Sequence, residues 1–214
     1  MQMKLSPEGN IFVFPLMILT GLLIFFWSMG HVTIYLPSFI GLILLFCLNF
    51  FRDPKRLVPE GKNQIVSPAD GKIIRIDTEN EEFQIISIFL NVFDVHVNRM
   101  PITGTFSDVT YTKGKFLMAF DHNACDENER NIITIETAIG PIRLVQIAGL
   151  IARRIICYAD RGKEMQIGGR LGFMRFGSRI DLRLPNKIKL EVKLGQKVMG
   201  NTTLLVHLTN PEIL

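Results

Sequence analysis

Two long stretches without a charged residue occupy the first quarter of the chain and restrict how it can fold. They cover residues 11–29 and 32–51, and only Gly30-His31 separates them. Each is close to the roughly 20 apolar residues that a helix needs to cross a bilayer. Trp27 and Tyr35 flank the break, as aromatic residues do at membrane interfaces. The first 51 residues are therefore predicted to form a membrane-anchoring helical hairpin.

The depth of this hairpin is left open by the sequence. Pro15 and Pro37 can shorten the two helices, so a shallow, re-entrant hairpin is an alternative to two full spans. The basic segment Arg52-Asp-Pro-Lys-Arg56 follows the second stretch directly. Since basic residues beside a membrane helix tend to stay in the cytoplasm, the rest of the chain is expected on the cytoplasmic face of the inner cell membrane.

The net charge of the chain indicates an anionic partner. The formal charge is +4 and the isoelectric point is about 9.0, which makes anionic lipid head groups the first candidates beside a membrane anchor. No basic run is interleaved with aromatic residues, so nucleic acid is not expected as a partner. The three cysteines have no C-x-x-C spacing, and neither a disulfide framework nor a metal site is predicted.

Residues 65–214 have the pattern of a β-rich domain, joined to the hairpin by a linker at 52–64. Short segments rich in Ile, Val, Thr and Phe alternate with turn residues, and only 116–126 and 150–160 could hold a short helix. The predicted strands are 73–76, 83–90, 104–111, 131–136, 142–147, 180–184, 189–192 and 203–207. So many short strands predict an all-β sandwich or barrel.

Two turn regions refine this fold prediction. The stretch Ser67-Pro-Ala-Asp-Gly-Lys-Ile73 and the stretch 192–201 resemble the turns of barrel-sandwich-hybrid domains, such as lipoyl and biotinyl carriers. The modified lysine of those carriers, at a hairpin tip, has no counterpart here. The resemblance therefore implies a barrel-sandwich-hybrid-like architecture without a carrier function.

The stretch 168–185 is unusual for a strand because it holds four glycines and four arginines. Glycines in strands mark bulges or a close approach of the backbone. Taken by itself, the stretch indicates a hairpin with glycine kinks and a basic edge. Taken alone, Asp70 before Gly71 is typical of a turn, and His96 is typical of a hydrogen-bonded structural histidine.

Three motifs, in this order, change that interpretation. They are Ser67-Pro-Ala-Asp-Gly71, Phe93-Asp-Val-His-Val-Asn-Arg-Met-Pro101 and Phe176-Gly-Ser178. Together they resemble the proenzyme of phosphatidylserine decarboxylase in its short prokaryotic form, over roughly residues 52–209. The resemblance implies a self-cleaving enzyme that carries a covalent pyruvoyl group. The cut would lie between Gly177 and Ser178, leaving a heterodimer of fragments 1–177 and 178–214 that could assemble further.

The residue types suit that chemistry. The hydroxyl of Ser178 would attack the carbonyl of Gly177 and convert the amide to an ester, and β-elimination would leave dehydroalanine. Hydrolysis of dehydroalanine yields the pyruvoyl group and ammonia. His96 is the predicted base, because its ordinary pKa lies near neutrality. Asp70 is predicted to orient His96, as the third member of a triad does.

In turnover, the resemblance implies that the ketone derived from Ser178 forms a Schiff base with the serine amine of phosphatidylserine. The pyruvoyl group then accepts the electrons left when carbon dioxide departs. His96 is the candidate donor of the proton that completes phosphatidylethanolamine.

Two departures from larger members concern the same region. The cleavage site is Phe176-Gly-Ser-Arg179, where many larger members have Leu-Gly-Ser-Thr, and Arg99 takes the place of a second histidine. Arg170, Arg175 and Arg179 are candidate contacts for the lipid phosphate, because a guanidinium matches its oxygens in pairs. The alternative is that these arginines solvate a strand edge.

Two other functions remain compatible with the sequence. A related lipid such as archaetidylserine has the same reactive serine head group and could be the substrate. A membrane-anchored, non-enzymatic barrel-sandwich adaptor would explain the hairpin and the glycine turns, but it would need neither Gly177-Ser178 nor His96.

Overall fold

The computed structural model describes residues 3–61, 64–78, 82–114, 128–149, 155–175 and 177–208. The chain forms two compact units, Met1–Lys55 and Arg56–Leu214. The sequence predicts a hairpin at 1–51, a linker at 52–64 and a β domain from 65. In the structure the boundary between the two units falls between Lys55 and Arg56, within the predicted linker.

The first unit is a helical hairpin of α1 (Asn10–Ser28) and α2 (Tyr35–Phe50). With the 3₁₀ turn before it, the first helix spans Pro7–Ser28, with 22 residues and a mean hydropathy of 2.3. By length and composition it is apolar enough to cross a membrane. The 16 residues of α2 rise about 24 Å, which is less than the hydrocarbon thickness of about 30 Å.

Two short strands close the base of this hairpin. Strand β1 (Met3–Leu5) pairs antiparallel with β2 (Arg52–Pro54). The amide of Ser6 also donates a hydrogen bond to the carbonyl of Phe51 at 2.7 Å. The first three residues of the predicted linker are therefore part of the hairpin unit.

The second unit is built from thirteen strands in the described part of the chain. They are β3 (Gln64–Val66), β4 (Gly71–Asp77), β5 (Phe83–Leu90), β6 (Val97–Arg99), β7 (Gly104–Thr112), β8 (Arg130–Thr137), β9 (Gly140–Ile147), β10 (Ile155–Cys157), β11 (Glu164–Met165), β12 (Arg170–Met174), β13 (Ser178–Pro185), β14 (Lys197–Val198) and β15 (Leu204–His207).

These strands form one large sheet and two small ones. The large sheet has the order β11-β7-β8-β9-β13-β5-β4-β14 and is open, with β11 and β14 at its edges. A three-stranded sheet has the order β10-β12-β6, and β15 pairs with β3. The alternation of β13 explains its central place, because Ile180, Leu182 and Leu184 point into the apolar core.

The prediction of a mainly β domain behind an N-terminal apolar hairpin is confirmed. Seven of the predicted strands coincide with observed ones, and only the segment 189–192 is reduced to a single bridge between Leu190 and Val206. Ile155–Cys157 is a strand, where the sequence allowed a short helix. The other segment predicted as a possible helix, 116–126, lies outside the described residues.

Candidate active site

The predicted site residues converge where strand β5 ends. Strands β4 and β13 lie on either side of β5, and both begin at this end. Ser178, the first residue of β13, pairs with Leu90, the last residue of β5. On the other side of β5, Asp70 directly precedes β4. The chain leaves β5 at Leu90 and reaches His96 six residues later, so the topology brings the three residues to one end of the sheet.

His96 is also connected to the chain segment that leads into Ser178. It directly precedes β6, and β6 pairs with β12 through Val97 and Phe173. The amide of Met174 donates to the carbonyl of His96 at 3.2 Å. Because β12 ends at Met174, only residues 175–177 separate this hydrogen bond from Ser178.

The imidazole of His96 is buried and held in one tautomer. Its Nδ1 lies 2.9 Å from the carbonyl oxygen of Asp94. A carbonyl oxygen can only accept, so Nδ1 carries the proton and Nε2 keeps the lone pair of the neutral ring. The loop that supplies this carbonyl is fixed in turn, because the Asp94 carboxylate accepts hydrogen bonds from the amide and side chain of Asn91. In the neutral ring, Nε2 is therefore the nitrogen that can accept a proton.

The side chain of Ser178 lies in an unusual environment for a hydroxyl group. Its side chain is buried, and its Oγ has no hydrogen-bond partner among the residues that the structure describes. A buried hydroxyl without a partner costs about 1–3 kcal/mol, so native structures rarely keep one without a reason. Its position on the core-facing side of β13 makes this hydroxyl available for chemistry inside the protein.

Gly177 adopts a backbone conformation that favours glycine. Its φ is +63°, in the left-handed region, while no atom lies within 4 Å of the place that a Cβ would take. The requirement for glycine is therefore conformational and does not come from crowding. This turn connects β12 in one sheet to β13 in the other, which places the Gly177–Ser178 peptide bond between the two sheets.

The carboxylate of Asp70 has two described partners. It forms a bidentate ion pair with Arg56, with a second contact of 2.8 Å, and it accepts a 2.8 Å hydrogen bond from the amide of Gly200. On His96, the Nδ1 contact is to the main-chain carbonyl of Asp94. The orienting of His96 by Asp70 stays a prediction.

With this geometry in view, comparison with known proteins identifies the family. The family model for phosphatidylserine decarboxylase matches residues 43–206, which include all three motifs. The chain belongs to the phosphatidylserine decarboxylase family. The match covers the candidate site and most of the second unit, so the predicted resemblance is confirmed.

Individual members of the phosphatidylserine decarboxylase family align over most of their length. A phosphatidylserine decarboxylase proenzyme of Geobacter metallireducens is 42% identical over 207 residues, covering 94% of this chain and 95% of the relative. Proenzymes of Chlorobaculum tepidum and Burkholderia vietnamiensis are 45% and 46% identical, over 76% and 78% of this chain. The shared name of these relatives describes a protein that is made as a precursor.

The three candidate arginines of this decarboxylase family member differ in their surroundings. Arg170 is half-buried, with its guanidinium 5.9 Å from the centre of the Tyr158 ring, and Arg175 is half-buried beside the cleavage turn. Arg179 is buried and donates to both oxygens of Asp181, at 2.6 and 2.9 Å, and to Ser87 at 2.8 Å. This geometry favours a structural role for Arg179 over the phosphate contact predicted for it.

Two contributors to the site were missed by sequence analysis. The Asp94 carbonyl orients His96, but a main-chain carbonyl is not visible in residue identity. Arg56 was assigned to the linker, although it binds Asp70 across 14 positions of the chain. In the sequence, the basic segment after the second apolar stretch indicates membrane topology, and nothing in it predicts an ion pair with Asp70.

Proposed function

We propose that the protein decarboxylates phosphatidylserine to phosphatidylethanolamine, after cutting its own chain between Gly177 and Ser178 to generate a pyruvoyl group. Membership in the decarboxylase family supports the reaction, and the precursor names of its relatives support the self-cleavage. The observation that carries the proposal is the buried hydroxyl of Ser178, which has no hydrogen-bond partner among the described residues and lies at the end of β5 from which the chain runs to His96.

In the cleavage step, the Nε2 of His96 takes the proton of the Ser178 hydroxyl, and Oγ attacks the carbonyl carbon of Gly177. The C–N bond of this peptide breaks, His96 returns the proton to the released nitrogen of Ser178, and an ester forms between Oγ and Gly177. Removal of the α-proton of Ser178 then expels the Gly177 carboxylate and leaves dehydroalanine, which water hydrolyses to the pyruvoyl group and ammonia. The positive φ of Gly177 supports this role, because a non-glycine residue there would strain the turn.

Asp70 supports the site from the loop before β4. Its carboxylate holds Arg56, which belongs to the fragment 1–177, and the amide of Gly200, which belongs to the fragment 178–214. We infer that Asp70 fixes this loop beside His96 and ties the two fragments together.

The two fragments are expected to remain a heterodimer after cleavage. Strand β13 lies between β5 and β9 and pairs with both of them. The other strands of the small fragment, β14 and β15, pair with β4 and β3. Cutting one peptide bond leaves all of these ladders and the apolar core of the sheet in place.

The surroundings of Ser178 fit the proposed pyruvoyl group. Its precursor is Ser178 itself, which lies at the start of a strand and whose hydroxyl has no hydrogen-bond partner among the described residues. When formed, a pyruvoyl group supplies an electron sink for the loss of carbon dioxide. His96 would deliver the proton to the product, while Arg170 and Arg175 are the candidate contacts for the lipid phosphate.

The N-terminal unit supports a location at the membrane. Helix α1 is long and apolar enough to cross a bilayer, and large apolar side chains such as Ile11, Ile18 and Phe39 are exposed on the hairpin. We propose that this unit anchors the enzyme in the cell membrane and that residues 56–214 lie on the cytoplasmic face. The basic residues between 52 and 56 support this orientation.

Intact mass measurement of the purified protein tests the proposal. The 24.3 kDa chain should yield a 177-residue fragment and a 37-residue fragment. The small fragment should be lighter than a serine-ended peptide by the mass of ammonia. Ser178→Ala should stay intact and should not decarboxylate phosphatidylserine in vesicles. An intact wild-type chain, or a Ser178→Ala variant with full activity, would exclude the proposed reaction and favour an adaptor.

A further inference from the structure

A line of buried side-chain amides crosses the interior of the second unit. Gln146 of β9 donates from Nε2 to the Oδ1 of Asn98 in β6, at 2.8 Å. Asn131 of β8 donates from Nδ2 to the Oε1 of Gln146, at 3.3 Å. Asn98 and Gln146 are completely buried, and Asn131 is 4% exposed. Burying polar amides costs free energy unless they are hydrogen-bonded, so a line of them through an apolar core needs an explanation.

The two ends of the Gln146–Asn98 hydrogen bond belong to different sheets. Asn98 lies two residues after His96, and its Nδ2 donates to the His96 carbonyl at 3.4 Å. Gln146 lies opposite Ile180 of β13, which is two residues after Ser178. Residues two apart in a strand share a face, so Gln146 and Ser178 are diagonal neighbours on the core-facing side. This hydrogen bond thus links the strand of the base to the sheet of the nucleophile.

The backbone beside this amide leaves no room for a side chain. Gly172 of β12 is paired with Asn98, and a Cβ at Gly172 would lie 2.2 Å from the carbonyl oxygen of Ile156 and 2.9 Å from the Nε2 of Gln146. A side chain in this position would clash with the neighbouring strand and with Gln146. The donors also point in one direction, from Asn131 through Gln146 and Asn98 to the carbonyl of His96. Aligned hydrogen bonds polarise and strengthen one another.

We propose that Gln146 and Asn98 are positioning residues for self-cleavage, which set how closely the imidazole of His96 approaches the hydroxyl of Ser178. This inference rests on the proposed function, because it takes Ser178 as the nucleophile and His96 as the base. Neither amide takes part in bond making. Their hydrogen bond fixes the separation of the two sheets at the place where the reacting groups meet.

The test compares stability with the rate of self-cleavage in the full-length chain. The double variant Asn98→Leu/Gln146→Met replaces both amides with apolar side chains of similar size, so the loss of stability should be limited to the cost of leaving the Nδ2 of Asn131 without its acceptor, about 1–3 kcal/mol. Thermal unfolding is measured in a Ser178→Ala background, where no variant can cleave. In the Ser178 background, cleavage by the double variant should be about 10- to 100-fold slower, since displacements near 1 Å have effects of this size.

A matched control uses another buried glutamine on the same large sheet. Gln84 is 3% exposed and donates to the carbonyl of Ile188 at 2.5 Å, at the far end of β13 from Ser178. Gln84→Met should cleave at the wild-type rate, whatever its unfolding temperature. The reciprocal swap Asn98→Gln/Gln146→Asn keeps an amide pair across the gap and should cleave faster than the apolar pair.

The outcomes separate this inference from the proposed function. A wild-type chain that does not cut at Gly177–Ser178 would refute the proposed function itself. If the wild type cleaves and the apolar double variant matches its rate, the amides serve stability alone and the inference is wrong. A swap no faster than the apolar pair, or a Gln84→Met variant as slow as that pair, would overturn it as well.

Discussion

Replacing Arg56 with methionine removes the cation that pairs with Asp70, the residue directly before β4. Arg56 forms a bidentate ion pair with this carboxylate, and the two side chains are 19% and 11% exposed. Breaking a buried pair by removing one partner costs about 3–5 kcal/mol. The amide of Gly200 still donates to Asp70, and some solvent reaches both side chains, so we expect a loss near the lower end, about 3 kcal/mol.

The assay is thermal unfolding of the uncleaved chain in detergent, with Ser178→Ala in every variant so that a single polypeptide unfolds. For a chain of this size, about 3 kcal/mol corresponds to a fall in the unfolding temperature of roughly 6–12 °C. Lys55→Met is the matched control, because it removes the same charge from the neighbouring, exposed residue. This control should change the unfolding temperature by no more than about 1–2 °C, as surface substitutions do.

A second variant isolates the unpaired charge as the cause. Asp70→Asn, added to Arg56→Met, removes the buried negative charge but keeps an oxygen that can accept from Gly200. The double variant should recover at least half of the lost unfolding temperature, because the desolvated carboxylate is gone. Equal unfolding temperatures for Arg56→Met and Lys55→Met would refute the reasoning, and so would a double variant as unstable as the single one.

Two further predictions concern the turn at Gly177 and the half-buried thiol of Cys157. Gly177→Ala should fold, since its Cβ meets no atom within 4 Å, but the left-handed φ costs about 1–2 kcal/mol. A time course on gels should then show cleavage slowed by about 5- to 30-fold, whereas an unchanged rate would mean that the turn leaves this conformation before reaction. Burial raises the pKa of the Cys157 thiol, so in a Cys47→Ser/Cys125→Ser variant iodoacetamide should label the folded chain at least about tenfold more slowly than the unfolded one. Equal labelling rates for the folded and unfolded chains would contradict the raised pKa. The same pKa shift makes the folded state lose stability as the pH rises above about 8.5, because the thiol ionises first in the unfolded chain.

How much of the fold could be predicted depends on how local the signal is. The apolar stretches are long enough to identify α1 and α2, and the long strands, such as β5 and β13, carry an alternation of their own. Strands β6, β11 and β14 have only two or three residues each. Such short segments have no period, and their pairing partners stabilise them, so the sequence could not indicate them.

The candidate site shows the same division. The three motifs predict Ser178, Gly177 and His96 as site residues, because the proposed chemistry depends on these residue types. They could not show that Arg179 is buried against Asp181, since charged side chains are exposed in most sequences with this pattern. Nor could they indicate that the Asp94 carbonyl orients His96, because the main chain is the same at every residue.

The position of Ser178 has a consequence for the order of events in maturation. Its hydroxyl faces the core from β13, which lies between β5 and β9, and the carbonyl hydrogen bond to Met174 attaches His96 to the preceding strand. His96 and Leu90 are far from Ser178 along the chain, 82 and 88 positions away, so only folding brings them close to it. His96, Gly177 and Ser178 therefore come together only after the large sheet has formed. The proposed self-cleavage must follow folding, and it would free the start of a strand that is already paired on both sides.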